Sequence, residues 1–321
     1  MTGTVAVAIV GPTAVGKSEL ALALAEAVGG EIVNADSRQV YRHLDIGTAK
    51  PSAAERARVA HHLLDVVDPD EQFDVARYRA LALEAVGTIA ARRRPVVICG
   101  GTGLYVRALL RGLFRGPAAD AQLRAELRAC EEREGPGTLH RRLATVDPAA
   151  AARLHPRDLV RIVRALEVFA LTARPISAWQ EEHRFGDSCV RALVLGCERP
   201  RGELAARITA RCRAMLEEGL LDEIRALAAR GYAPDLPPLA SVGYREMRAY
   251  LDGTQSFALA FEAFVRATRR LAKRQGTWFR ADPATLWFHP DHDRAALLAR
   301  ARAWLEQWPS PTLISSSPSP R

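Results

Sequence analysis

The chain has 321 residues, 48% hydrophobic and 26% charged, a composition that excludes a disordered polymer and leaves room for one large α/β domain with an insertion. Its formal net charge is +8, carried almost wholly by arginine (Lys17, Lys50 and Lys273 are the only lysines), which favours a polyanionic partner, nucleic acid ahead of anionic membrane. Cys99, Cys130, Cys189, Cys197 and Cys212 show no C-x-x-C pairing, and no apolar run approaches the roughly 20 residues that span a bilayer. A zinc module, a disulfide framework and a membrane protein are thereby excluded, and a cytoplasmic protein without a signal peptide is expected.

The first element is an apolar run from Val5 to Val10, read as a strand. It enters Gly11, Pro12, Thr13, Ala14, Val15, Gly16, Lys17 and Ser18, and a helical pattern over 19–26 follows. Strand, glycine-bearing loop and helix in this order form the phosphate loop of ATP- and other nucleotide-binding proteins. Its glycines let backbone N–H groups converge on phosphate oxygens at a positive helix terminus. Lys17 adds a point charge, and the Ser18 hydroxyl is placed to ligate Mg²⁺. A phosphate-bearing ligand is expected, and the motif alone does not say whether it is a nucleotide.

A second strand over 30–34 ends in Asp36, Ser37, Arg38 and Gln39. Ligands of open α/β sheets sit beyond the carboxyl ends of strands, so Asp36 faces the mouth of the phosphate loop. Three roles suit it: a Mg²⁺ ligand, a catalytic base, or a cap on the segment that follows. His61 and His62 come next, on a short strand. Neighbouring strand residues face opposite sides, so a structural role is preferred over a metal site. Leu63, Leu64 and Asp65 only faintly resemble the second Mg²⁺ motif of ATPases.

A helix over 73–91 leads to a buried strand over 95–99 and the turn Gly100, Gly101, Thr102, Gly103. Thr102 brings a hydroxyl to the rim where a motor ATPase carries a carboxylate, and it also suits a helix N-cap. Strand–helix alternation then stops. Helices are expected over 118–133 and 137–143, and an amphipathic one over 157–171. The last has Leu159, Ile162, Val163, Leu166 and Phe169 on one stripe and Arg157, Arg161 and Arg164 on the other face. A strand over 191–197 resumes the sheet, and Arg207, Arg211 and Met215 share a face of the helix over 202–218. A helix over 257–278 carries Arg266, Arg269, Arg270, Lys273 and Arg274 beside Trp278, a pattern suited to nucleic acid. A last strand over 286–289 and a helix over 294–308 precede a Ser/Pro-rich tail over 309–321, expected to be disordered. The expected architecture is α/β: a P-loop NTPase-like parallel sheet flanked by helices, formed by 1–115 and 191–308, with a helical insertion domain over 116–190.

Together, GPTAVGKS at 11–18, NADSRQVY at 34–41, DIGTAKP at 45–51 and GGTGLY at 100–105 make a recognisable series. It continues with DPAAAARLHPRD at 147–158, RALEVF at 164–169, VGYRE at 242–246 and LAKRQ at 271–275. In this order the chain resembles a tRNA dimethylallyltransferase of the bacterial type. The resemblance implies transfer of a dimethylallyl group from dimethylallyl diphosphate to N6 of the adenosine 3′ of the anticodon. The phosphate loop then holds the donor's diphosphate rather than ATP. Lys17, the loop amides, Mg²⁺ at Ser18 and Arg211 stabilise the departing diphosphate, Thr102 bonds near its bridging oxygen, and Asp36 becomes the general base. Ser37, Arg38, Gln39, Arg124, the run Val160, Arg161, Ile162, Val163, Arg164, and the run Ala240, Ser241, Val242, Gly243, Tyr244, Arg245 are implied to line the RNA path with Asp36 and Thr102. The insertion domain is implied to grip the anticodon stem-loop, and no obligate protein partner is expected of this monomer.

Two departures stand out. Ala240 and Ser241 replace a more polar pair, and Gly276 follows LAKRQ where relatives carry a larger apolar residue, so that helix is expected to end early. Competing readings are a small-molecule kinase, prenyl transfer to free adenine nucleotides, and a non-catalytic RNA-binding module. The arginine-rich insertion speaks against the first, the insertion's size against the second, and an acid facing an intact phosphate loop against the third.

Overall fold

The computed structural model describes residues 4–114, 116–183 and 189–307. It divides into two compact units, one of residues 1–110 with 189–321 and one of residues 111–188. The predicted tail over 309–321 lies outside the described residues.

The larger unit is built on a six-stranded sheet in the order β3-β2-β4-β1-β5-β6, with every pairing parallel. The strands are β1 (Thr4–Val10), β2 (Glu31–Asn34), β3 (His61–His62), β4 (Val96–Gly100), β5 (Val190–Cys197) and β6 (Leu286–Phe288). Period-two alternation in β1 sorts its side chains between two layers. Val7 and Ile9 pack with α1 (Lys17–Val28) and α14 (Arg294–Gln307). Ala6, Ala8 and Val10 pack on the opposite face with α3 (Val75–Ala91) and α4 (Gly103–Arg111). The helix α2 (Ala53–Arg58) opens on a capping box, in which Ser52 and Glu55 satisfy each other's backbone N–H groups.

Parallel pairing puts every carboxyl end on one edge. That edge carries the phosphate loop after β1, Asp36 after β2 and Thr102 after β4, with β4 lying between β1 and β2. The ends of β2 and β4 approach closely: a Cβ at Gly100 would lie 2.1 Å from the Ala35 carbonyl oxygen. Only glycine allows this, and the closeness brings the Asp36 and Thr102 loops together.

A second layer of the same unit consists of α10 (Arg201–Glu217), α11 (Leu220–Ala229), α12 (Tyr244–Leu251) and α13 (Phe257–Arg280). It has its own core, with Ile208, Met215, Leu220, Met247 and Phe264 buried. Contrary to the expectation of an early end, α13 continues through Gly276, which is itself buried, to Arg280. One missing Cβ costs a helix only about 1 kcal/mol. The apolar stripe of α13 outweighs that.

The smaller unit contains α5 (Ala121–Glu134), α6 (Thr138–Val146), α7 (Pro148–Arg153), α8 (Leu159–Thr172) and α9 (Ile176–His183) around Leu139, Leu143, Ile162, Val163 and Val168. Its one buried acid on α8 is Glu167, which is 0% exposed. Arg124 meets it through two hydrogen bonds of 2.7 and 2.9 Å, and Arg164 pairs with the same carboxylate. Burial alone would raise this carboxyl; the two guanidinium groups and the Asp120 N–H outweigh it and hold it below the usual glutamate range.

A depressed folded-state pKa gives stability that is present above the unfolded value, near 4.3, and is lost as pH falls through the folded one. Glu167→Ala, which leaves two guanidinium groups without their buried partner, is expected to cost about 3–5 kcal/mol of stability. Urea unfolding at neutral pH measures that loss. Acid unfolding followed by circular dichroism should show a weaker pH dependence in Glu167→Gln.

Candidate active site

The phosphate loop owes its shape to backbone conformations that most residues avoid. Gly16 caps α1 at φ 107°, and Ala14 is held at φ 63° in the left-handed region. The first N–H groups of α1, including those of Lys17 and Ser18, have no intrahelical acceptor and are free for an anion.

Lys17, Ser18, Asp36 and Arg211 line one cavity with Thr13, Asn34 and His61, so residues as distant in sequence as Thr13 and Arg211 meet there. Burial pulls the Lys17 ammonium below the usual lysine value, with Arg211 adding to the effect and Asp36 opposing it. Burial likewise lowers Arg211, again against Asp36. Burial pushes the neighbouring thiols up, Cys99 to about 11 and Cys197 to about 12, so both are neutral at physiological pH. Two cations and one carboxylate therefore set the charge of the cavity.

Asp36 is rigidly placed. Its Oδ1 accepts the Arg38 N–H (2.9 Å), and the Asn34 side chain grips its backbone from both sides while also donating to the Leu63 carbonyl (3.1 Å). Among the three roles raised for Asp36, the capping role is confined to this turn, because the next helix along the chain begins only at Ala53. Oδ2 has no hydrogen-bond partner among the described residues and is left for the cavity. Thr102 does not use its hydroxyl on α4: Oγ1 accepts the Ser37 N–H (2.9 Å) and sits 3.3 Å from the Ser37 hydroxyl. It thus joins the β4 turn to the residue after Asp36.

A second cavity of about 480 Å³ shares Thr13, Asp36, Thr48 and Arg211 with the first. It adds Ser37, Arg38, Thr102, Ala240, Ser241, Val242 and Arg245, together with an apolar wall that includes Met215, Phe264 and Leu271. Arg270 and Arg274, from the basic helix whose pattern suits nucleic acid, line it as well, as does Gln275, which the sequence reading gave no role.

Several residues read as RNA-binding also have partners within the protein or places in its core. Gln39 spends its amide on the Thr48 and Ala49 carbonyls, shaping the loop after β2. Tyr244 is 2% exposed and donates to Glu223 (2.6 Å), while Gly243, at φ 96°, starts α12. Glu223 also accepts the N–H groups of Asp45, Ile46 and Gly47, so it ties the loop over 45–47 to α11. In the helical unit, Ile162 and Val163 are core residues, and Arg124 and Arg164 are bound to Glu167. Val160 is 76% exposed, and Arg161 pairs with Asp158 at the surface. His62 is engaged by the buried Glu31 (2.7 Å) and His61 by the Val59 carbonyl (2.8 Å). Asp65 is bound by Lys50 and Arg56.

Among the described residues, no group of three or more His, Cys, Asp or Glu side chains is placed to hold a metal by itself. The hydroxyl of Ser18 and the carboxylate of Asp36 line the same cavity. One or two hard protein oxygens beside a phosphate-bearing ligand is the donor set that Mg²⁺ accepts, so the residues present fit that ion.

The family model described as IPP transferase matches residues 39–282. The tRNA dimethylallyltransferase of Geobacter sulfurreducens is 54% identical over 281 residues, 88% of this chain and 90% of that protein. That of Anaeromyxobacter dehalogenans (strain 2CP-C) is 51% identical over 92% of this chain and 98% of its own length. Among solved structures, the tRNA isopentenylpyrophosphate transferase of Bacillus halodurans superposes with a TM-score of 0.70 at 39% identity, covering 95% of this chain and 98% of that one. A eukaryotic dimethylallyltransferase acting on tRNA superposes with a TM-score of 0.77 at 26% identity, covering 98% of this chain and 82% of that one. With the phosphate loop, Asp36, Thr102 and Arg211 gathered at one sheet edge, the chain belongs to the IPP transferase family, that of the tRNA dimethylallyltransferases.

Proposed function

We propose that this protein transfers the dimethylallyl group of dimethylallyl diphosphate to N6 of the adenosine immediately 3′ of the anticodon in tRNA, releasing diphosphate. The observation that carries this reading is the meeting, in one cavity, of a phosphate loop and a carboxylate oxygen without a hydrogen-bond partner among the described residues, with Asp36 and Arg211 also lining a second cavity large enough for a base. In the reaction the allylic C–O bond breaks, a C–N bond forms to the exocyclic amine, and the proton on that nitrogen must leave. Adenine's amine is almost non-basic because its lone pair is delocalised into the ring, so Asp36 is needed to take that proton. Lys17, Arg211 and the loop amides receive the charge that develops on the diphosphate. The Ser18 hydroxyl would hold Mg²⁺, which would supply further neutralisation of that charge.

A stacked adenine cannot reach the phosphate loop, so the base leaves the anticodon loop and enters the second cavity. Arg38, Arg245, Arg270 and Arg274 at this cavity take the backbone phosphates. Val160 and Arg161 are the contribution of the helical unit. The protein works in the cytoplasm as a monomer; among the described residues no helix is long and apolar enough to cross a membrane.

Radiolabelled donor, an anticodon stem-loop and Mg²⁺ test the reaction, with ATP replacing the donor in a parallel tube. Label on RNA, and no phosphate released from ATP, is the expected result; transfer to free adenine nucleotide or hydrolysis of ATP would overturn it. Stem-loop affinity should fall with salt, with a log–log slope that becomes shallower by about 0.7–0.9 for each phosphate-contacting arginine removed. Fluorescence anisotropy across a salt series on Arg270→Ala and Arg274→Ala checks this. An unchanged slope would remove both residues from the RNA path.

A further inference from the structure

Three successive residues of the phosphate loop are each gripped by a side chain from a distant part of the chain. The Thr13 N–H donates to Oε1 of Gln275 on α13 (2.8 Å). The Ala14 carbonyl accepts from Nε of Arg207 (3.1 Å), and the Val15 carbonyl accepts from Nε of the buried Arg199 (2.8 Å). The charge of Arg199 is consumed by Asp291 (2.7 Å) and Glu203, so it acts on the loop through geometry.

The middle residue of this trio is Ala14, in the left-handed region at φ 63°. Such a conformation is strained for an alanine and persists only where its surroundings over-determine it. Gln275 does more than accept one bond. Its amide also fills the space over the turn after β4, where a Cβ on Gly101 would lie 2.4 Å from Nε2. One side chain therefore fixes the start of the phosphate loop relative to the turn that bears Thr102.

We infer that Gln275 is a positioning residue of the active site, which with Arg199 and Arg207 holds Thr13, Ala14 and Val15 in the shape that receives the diphosphate. The inference rests on the reading that this loop binds a diphosphate. Arg207 is exposed and contributes least, while Gln275 is half-buried and Arg199 is buried. No formal charge is involved at Gln275, so its effect is separable from direct attraction of an anion.

The test compares Gln275→Met, which keeps length and neutrality but loses the acceptor, with Gln275→Glu, which keeps an acceptor oxygen for the Thr13 N–H. Amide hydrogen exchange of the peptide over 11–18 should speed up roughly three- to tenfold in Gln275→Met and stay at the wild-type rate in Gln275→Glu. Inorganic diphosphate with Mg²⁺, titrated calorimetrically, should bind Gln275→Met roughly three- to tenfold more weakly. In turnover this appears as a raised KM for the donor with kcat changed less. Stem-loop affinity should stay within about twofold, which excludes general unfolding. Unchanged exchange and unchanged diphosphate affinity in Gln275→Met would overturn the inference. Wild-type protein that bound no diphosphate would instead overturn the diphosphate reading, while the exchange rates would still decide the role of Gln275.

Discussion

Asp36→Asn is expected to lower single-turnover transfer to the stem-loop by roughly 10²–10⁴, the range for loss of a general base. The asparagine carbonyl can still accept the Arg38 N–H that Oδ1 now accepts at 2.9 Å, so the turn after β2 survives. Asp36→Ala removes base and turn acceptor together and should lose at least as much. Donor and RNA affinities should stay within a few-fold in the asparagine variant, because Lys17, Arg211 and the cationic rim are untouched. A rate within about threefold of wild type would sink the general-base role and return Asp36 to the tasks of metal ligand or turn former. The comparison is sharp because the two functions of this carboxylate use different oxygens.

The legibility of this site follows the range of the interactions that build it. The phosphate loop could be read directly because strand, glycines, lysine and hydroxyl are contiguous, and the unbroken apolar run from Val5 to Val10 likewise announced a strand, which the structure buries on both faces. Asp36 was locatable from its place after β2, although its role stayed three-way until the family resemblance was added. Arg211 was visible as part of a helical face with Arg207 and Met215, and that face does meet the loop.

The brace from Gln275 was not legible, since its partner Thr13 is 262 residues away and no periodicity encodes such a contact. The arginines of the insertion have partners that the sequence reading did not name. Arg124 and Arg164, which the resemblance implies line the RNA path, both bind Glu167. A warning was present in the sequence. Glu167 lies among Val163, Leu166 and Val168 on the buried side of α8, and an acid there demands cationic partners. Ile162 and Val163 belong to the same face, so packing decided their fate.

The second large effect is expected at Lys17. Lys17→Ala should reduce kcat/KM for the donor by roughly 10²–10³, as for removal of one preorganised charge from a developing oxyanion. The loop itself should persist, because among the described residues the ammonium's hydrogen bond is a long one to the Pro12 carbonyl (3.4 Å), whereas Gln275, Arg207 and Arg199 hold the backbone independently. Burial and the nearby Arg211 already disfavour the charged form of Lys17 in the free protein. Its folded-state pKa is therefore below the ordinary value of 10.5, and the proton is lost at lower pH than from a free lysine. The alkaline limb of kcat/KM should accordingly fall below that value in the wild type and move upward in Lys17→Arg, whose guanidinium keeps its proton. A limb that stays in place in Lys17→Arg would assign it to another group, and full activity in Lys17→Ala would leave Arg211 and the helix terminus as sufficient for the departing diphosphate. The expected loss follows from placement: a cation desolvated before the ligand arrives gains most when negative charge appears beside it.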